Sequence, residues 1–260
     1  MLIRTNGLRL VGDDVGQGRP VLFVHAFPLN RRMWAPQVEA LAGDYRCLSV
    51  DLRGFGESDT VGEPYGLDEM ASDLVGVLDA LHLEKVTMVG LSMGGYIAFA
   101  FWRRYADRLR ALVLADTRAG AGTEATRAGH EALAQQAEAE GMAPVVTAQL
   151  PRLLSPAASP ELRQWVSDMM EESSPPGVAA ALRAMAARPD RSAMLPEIAC
   201  PTLVIVGADD IVTPAAEMAA MAQQMPQATY RLLAGAGHLA NLEAPDAFNA
   251  ALRSFLAGLA

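Results

Sequence analysis

Residues 86–95 read VTMVGLSMGG, and their reading decides the fold. The run 86–89 is apolar and rich in β-branched residues, the composition of a strand buried on both faces. Gly90-Leu91-Ser92-Met93-Gly94 follows as G-x-S-x-G, and helical spacing begins at Met93. Small residues two before and two after Ser92 let strand and helix approach across a tight turn. The hydroxyl is then lifted above the sheet, at the N-terminus of a helix that favours negative charge. The alternative, an ordinary glycine-rich turn, has no such use for a serine at its apex.

Working outward, the same alternation recurs on both sides. Strand-like runs occupy 8–11, 21–25, 45–51, 111–115, 201–207 and 229–233. Helical spacing occupies 33–42, 67–81, 93–105, 214–224 and 245–259. Within 67–81, Leu67, Met70, Leu74, Val77, Leu78 and Leu81 share one face. Continuously apolar strands separated by helices predict a doubly wound, mostly parallel α/β sheet, with ligands at the C-terminal strand ends. One stretch breaks the pattern. Residues 118–196 hold no strand-like run and are rich in Ala, Glu, Met and Pro. Short helices are predicted at 125–140, 143–150, 160–171 and 177–187. Roughly 80 residues is too long for a loop. The predicted organisation is a core of 1–117 and 197–260 with an all-α cap of 118–196.

A serine nucleophile needs a base, and the base needs an orienting acid. The chain has four histidines. His25 ends a strand, His82 follows an amphipathic helix, and His130 lies among Ala and Glu and reads as a solvated helix position. His238, in the loop Gly235-Ala236-Gly237-His238 after the last strand, is the expected base. The acid should follow an earlier strand. Asp210 and Asp209 follow the run 201–207, and Asp116 follows 111–115; position alone leaves the three open. Two oxyanion donors are also needed. The Met93 N–H is one. The other should come from the loop after 21–25, where Phe27 has an N–H and Pro28 has none.

These pieces resemble a family. HAFPLNRRMW (25–34), DLRGFGES (51–58), GLSMGG (90–95), GADDIVTP (207–214) and GAGHLANLEAPDAFN (235–249) together look like a serine-dependent α/β-hydrolase with a helical cap. The resemblance spans the chain except the cap. It places the acid of the family's G-x-x-D pattern on Asp210, giving a triad of Ser92, Asp210 and His238. It also implies that Asp51, Arg53, Gly54 and Gly56 shape a loop beneath the site. The family's oxyanion loop usually reads His-Gly, and here Ala26 stands in place of that Gly. The branch most similar in motifs holds enol-lactone hydrolases, small carboxylesterases and cofactor-free perhydrolases. Ser92 argues against dehalogenases and epoxide hydrolases, which use an aspartate nucleophile. The expected activity is hydrolysis of small carboxylic esters or lactones through an acyl-enzyme. Carbon–carbon bond hydrolysis and a non-catalytic small-ligand receptor are the rivals.

Trp34, Leu91 and Leu239, beside the motifs, and Trp165 and Met169, at helical spacing in the cap, are the expected substrate-binding residues. Met170 and Met185 extend the same stripe. Arg118, Arg127 and Arg152 are either solvated cap surface or partners for a substrate carboxylate. No metal or cofactor is expected, since the sequence has no HExxH, CxxC pair or GxGxxG fingerprint. Composition narrows the partners further. With 21 basic and 30 acidic residues and a net charge of -9, no nucleic acid or anionic membrane partner is expected. No signal-like or membrane-length apolar run is visible, so the expected location is the cytoplasm, as monomer or homodimer. Cys47 and Cys200 read as two buried free thiols.

Overall fold

The computed structural model describes residues 1–62 and 64–259. Eight strands form one sheet: β1 (Leu2–Thr5), β2 (Leu8–Val15), β3 (Arg19–Val24), β4 (Tyr45–Val50), β5 (Val86–Leu91), β6 (Leu109–Ala115), β7 (Thr202–Gly207) and β8 (Ala228–Leu233). Their order is β1-β2-β4-β3-β5-β6-β7-β8. β3 to β8 run parallel, and β2 is antiparallel to both neighbours. The first hairpin was not legible in full: a strand was expected at 8–11, and β1 not at all. Its signal was Asn6-Gly7, both at positive φ (50° and 78°), as a tight hairpin turn demands.

The chain leaves β3 for β4 on one side and returns for β5 on the other. The winding therefore reverses between β3 and β5, and the loops after them face each other across a crevice. Period-two alternation sorts the side chains between two cores. Leu22, Val24, Met88, Leu112, Leu114, Val204 and Val206 pack on one face, against α2 (Leu67–Ala80) and α3 (Met93–Tyr105). Val21, Phe23, Val89, Leu91, Val113, Leu203 and Ile205 pack on the other, with Leu41 of α1 (Ala35–Leu41) and Phe248 and Leu252 of the C-terminal helix Pro245–Ala257. Both faces are covered, which is why these strands read as unbroken apolar runs.

Between β6 and β7 the chain forms α4 (Glu124–Glu140), α5 (Ala143–Leu153), α6 (Pro160–Glu171) and α7 (Pro175–Ala186). Side-chain oxygens start three of them. Thr123, Ser159 and Ser174 accept from the backbone N–H three residues on, and Pro160 and Pro175 occupy the first helical position, where a missing N–H costs nothing. The insertion has no separate core. Leu133, Ala134, Ala137, Val178 and Leu182 join the first cluster, and Val166, Met169 and Met170 join the second. Among the described residues the remaining α-helices are α8 (Ala215–Gln223), α9 (Ala240–Glu243) and α10 (Pro245–Ala257). Among the described residues no helix is long and apolar enough to cross a membrane. Both cysteines are free, Cys47 buried and Cys200 only half-buried.

Candidate active site

The turn from β5 to α3 holds Ser92 at φ 55°, ψ -112°. A non-glycine residue there stores about 1–3 kcal/mol of strain, which the surroundings must outweigh. They do so through hydrogen bonds: Ser92 N–H donates to the Ala115 carbonyl (3.0 Å), and the Ser92 carbonyl accepts from Thr117 Oγ1 (2.8 Å). Two glycines make the turn possible. A Cβ on Gly90 would lie 2.4 Å from the Gly94 carbonyl oxygen, and one on Gly94 would lie 2.2 Å from that of Val24. Any side chain at either position would push α3 off the sheet.

Three loops converge above this turn. His238, from the loop between β8 and α9, places Nε2 2.9 Å from Ser92 Oγ and Nδ1 2.8 Å from Asp210 Oδ2. Asp210 follows β7. Its Oδ1 accepts the Val212 and Thr213 N–H groups at 2.7 and 3.0 Å, and its Oδ2 also accepts from Thr213 Oγ1. Burial raises the Asp210 pKa, but the hydrogen bonds and charge of His238 and the bonds from Thr213 outweigh it. The carboxyl is held below its ordinary value and stays ionised. All three side chains are buried. The structure thus brings together Ser92, His238 and Asp210. Asp209 is exposed.

Asp116 is buried at φ 44° after β6. Its Oδ1 accepts the Gly207 N–H at 2.9 Å, and its Oδ2 has no partner among the described residues. Burial, then the Asp210 charge, push its carboxyl well above the usual range, and its bond to the Gly207 N–H supports the turn before Asp210. Asp116→Asn keeps that acceptor. It is expected to leave kcat/KM within about threefold and to cost under about 1 kcal/mol, whereas Asp116→Ala orphans Gly207 N–H for about 1–3 kcal/mol. Thermal melts and ester kinetics check this; an activity loss like that of an Asp210 variant would make Asp116 a working acid.

The loop after β3 closes the other side. Ala26 is not among the residues at positive φ, and its carbonyl closes a turn with Leu29 N–H at 2.9 Å. The missing glycine therefore brings no strain. Phe27 N–H and Met93 N–H have no acceptor among the described residues, and Phe27 lines the cavity over Ser92. His25 is committed to the loop: Nε2 accepts the Leu52 N–H at 3.1 Å. Asp51 accepts the N–H groups of Arg31 and Glu57, and Arg53 forms a buried fork with Asp73 at 2.6 and 2.7 Å.

A cavity of about 580 Å³ opens above Ser92 and His238, within the size range of small-molecule sites. Its walls differ from the sequence expectation. Trp34, Leu91, Met169 and Leu239 are fully buried in the second core and do not line it, and Trp165 is partly buried against the same cluster. Trp34 stacks near Phe23 and Phe248, with ring centroids 5.1 and 6.1 Å away. The physical reason is direction. Leu91 points to the sheet face opposite α3, and α6 turns its apolar stripe into the same second core instead of the cavity. Helices α4, α5 and α7 line it through His130, Leu133, Arg152, Leu153 and Met185, together with Tyr96, Arg118 and Arg188. Of the three arginines noted in the sequence, Arg118 and Arg152 line the cavity. Arg127 does not, and its Nε donates to the Gly122 carbonyl. His130 and Arg188 were missed. The signal for His130 was Thr126, Gly129, His130 and Leu133, one helical stripe carrying a glycine where a surface helix gains nothing from one. Among the described residues no three His, Cys, Asp or Glu converge as metal ligands.

A family model described as the alpha/beta hydrolase fold matches residues 19–245. The chain belongs to this alpha/beta hydrolase family. Among solved structures, the hydrolase superposes on a thermophilic esterase from Thermogutta terrifontis, solved with malate bound. The TM-score is 0.97 and the identity 40%, over 100% of this chain and 98% of that one. The enol-lactonase from Burkholderia xenovorans gives 0.92 and 30%, over 99% and 100%. By sequence it is 30% identical to 3-oxoadipate enol-lactonase 2 of Acinetobacter baylyi, over 92% of this chain and 89% of that protein. Like these relatives, it is a hydrolase.

Proposed function

We propose that this hydrolase cleaves small carboxylic esters or lactones through an acyl-enzyme on Ser92. The observation that carries the reading is the continuous hydrogen-bonded chain from Ser92 Oγ through His238 to Asp210, set at a strained elbow under an open cavity. The esterase and enol-lactonase relatives support the same bond type.

His238 Nε2 takes the Ser92 proton as Oγ attacks the carbonyl carbon. Asp210, ionised, keeps the remaining N–H on Nδ1 and balances the imidazolium charge. The oxyanion sits between the N–H groups of Phe27 and Met93, whose free state means they need not break a bond to serve; each such donor contributes about 3 kcal/mol. His238 returns the proton to the leaving alcohol oxygen, and the acyl group stays on Oγ. Water then enters, gives its proton to His238, and attacks the acyl carbon; Oγ leaves and regains the proton. In a lactone the leaving alcohol remains tethered, and the same steps open the ring. The insertion 118–196 acts as the cap that shields these steps from bulk water.

The test is steady-state turnover of p-nitrophenyl esters from acetate to octanoate. The expected result is saturable hydrolysis with a short-chain optimum, because Arg118, Arg152 and Arg188 interrupt the apolar lining that a long acyl chain would need. A folded preparation with no activity on any ester or small lactone contradicts the reading.

A further inference from the structure

The wall above Ser92 carries charge that ester cleavage does not require. Arg118, Arg152 and Arg188 all line the cavity, and among the described residues no Asp or Glu does, in a chain whose net charge is -9. Elsewhere arginines sit on carboxylates: Arg53 on Asp73, and Arg183 on Glu131 and Glu138. Two of the cavity arginines have no such partner among the described residues. Arg188 is 7% exposed. It is pinned by neutral groups, with Nε on the Gly120 carbonyl, Nη1 on the Met185 carbonyl and its guanidinium 4.3 Å from the centre of the Tyr96 ring. Its Nη2 makes no hydrogen bond among the described residues. Arg152, at the exposed mouth, makes no hydrogen bond or ion pair among them. Arg118 is shared: it donates to the Val212 carbonyl and lies 3.3 Å from Glu217, while its Nε is buried without a partner.

His130 completes the wall. Its Nδ1 is buried and unpartnered. Burial, then the neighbouring Arg188 and Arg152, push its pKa down to about 4, so it stands neutral among cations. Burial, with Arg118 and Arg127 nearby, also holds Arg188 below its ordinary value. Uncompensated buried cations are costly. A fold that holds one in the lining of the cavity that Ser92 shares, on backbone carbonyls and a ring face, has organised a receptor for an anion. A guanidinium fork matches a carboxylate bidentately, and a cavity of low dielectric strengthens the pair.

We infer that Arg188 and Arg152, with Arg118 and His130, form an anion subsite, and that the preferred ester or lactone carries a free carboxylate several atoms from the scissile carbonyl. Arg188 receives the carboxylate, Arg152 gathers it at the mouth, and neutral His130 offers an N–H without adding charge. The inference rests on the hydrolytic reading for its chemistry but not for its binding.

The test compares mono-p-nitrophenyl glutarate, which is anionic, with neutral p-nitrophenyl pentanoate. The wild type is expected to favour the anionic ester about tenfold or more in kcat/KM, and Arg152→Met to lower that ratio about fivefold, mainly through KM. Arg188→Gln lowers it further. Arg104→Met, a surface change on the far end of α3, leaves the ratio alone. Raising ionic strength from about 0.05 to about 0.5 M shrinks the ratio. Equal turnover of both esters overturns the subsite and leaves ester hydrolysis standing. If neither ester is turned over, calorimetry of glutarate binding to Ser92→Ala decides. Saturable binding at about millimolar concentration, weakened by Arg152→Met, supports the subsite, and no binding up to about 10 mM overturns it.

Discussion

Ser92→Ala is expected to lower kcat on p-nitrophenyl butyrate by about 10⁴-fold or more, with the fold intact. The size follows from geometry. Ser92 Oγ–H donates to His238 Nε2 at 2.9 Å, and Ser92 lines the cavity. Without it, His238 and Asp210 have no group to activate, and only the oxyanion donors and the cavity remain. The substitution keeps Cβ, so the strained φ of 55° is neither relieved nor worsened. The hydrogen bonds that hold the turn are made by the Ser92 backbone. The melting temperature should therefore stay within about 3 °C of the wild type, the shift of a change below 1 kcal/mol at this size. Parallel melts and initial rates check both halves. Retention of more than about a tenth of the activity rules out the acyl-enzyme on Ser92.

The second large effect is at Asp210. Asp210→Asn is expected to cost about 10⁴-fold in kcat. The carboxylate accepts a proton-bearing Nδ1 at 2.8 Å, which leaves Nε2 free to accept from Ser92. An amide NH₂ facing Nδ1 would reverse that preference and put the proton on Nε2, against the hydroxyl it must deprotonate. Thr213 and the Val212 N–H would still fix the side chain, so the loss should appear in kcat more than in KM. Linkage gives the sign of the pH effect. The Asp210 pKa is depressed in the folded protein, so its contribution to stability is present above the unfolded value, about 3.9, and is lost as pH falls through the folded value. Asp210→Asn should therefore make stability less sensitive to acid below about pH 4. Urea midpoints between about pH 3 and pH 6 for both proteins measure it; identical slopes would show that Asp210 is not preferentially ionised in the native state.

The strands that carry the site were legible because both their faces are covered. Residues 86–91 and 202–207 carry no charged side chain, and their two polar ones, Thr87 and Thr202, are β-branched and buried; the turn after β5 tolerates little besides small residues. Ser92 and His238 stood out by their places at and just after strand ends, but Asp210 did not: Asp209 and Asp116 follow strands in the same way, and only the resemblance singled Asp210 out. The structure brings Ser92, His238 and Asp210 within hydrogen-bond distance. The substrate wall was not legible, because it depends on which side of a helix faces inward. Trp34 and Met169 have the size and polarity of pocket residues, and they were equally fit for the core, where packing at native density took them. His130 and Arg188 were hidden for the opposite reason. A polar residue on an Ala-rich helix reads as solvent-facing until a second helix covers it. The β1–β2 hairpin was obscured by its exposed edge, where charged residues interrupt the alternation.

The measurement that tests the central claim most directly is intact-protein and peptide mass spectrometry after incubation with diethyl p-nitrophenyl phosphate. An activated serine attacks phosphorus, releases p-nitrophenol and keeps the diethylphosphoryl group. One adduct per chain is expected, located on Ser92, absent from Ser92→Ala and accompanied by loss of ester turnover. No adduct on a folded protein, or labelling that persists in Ser92→Ala, would contradict it.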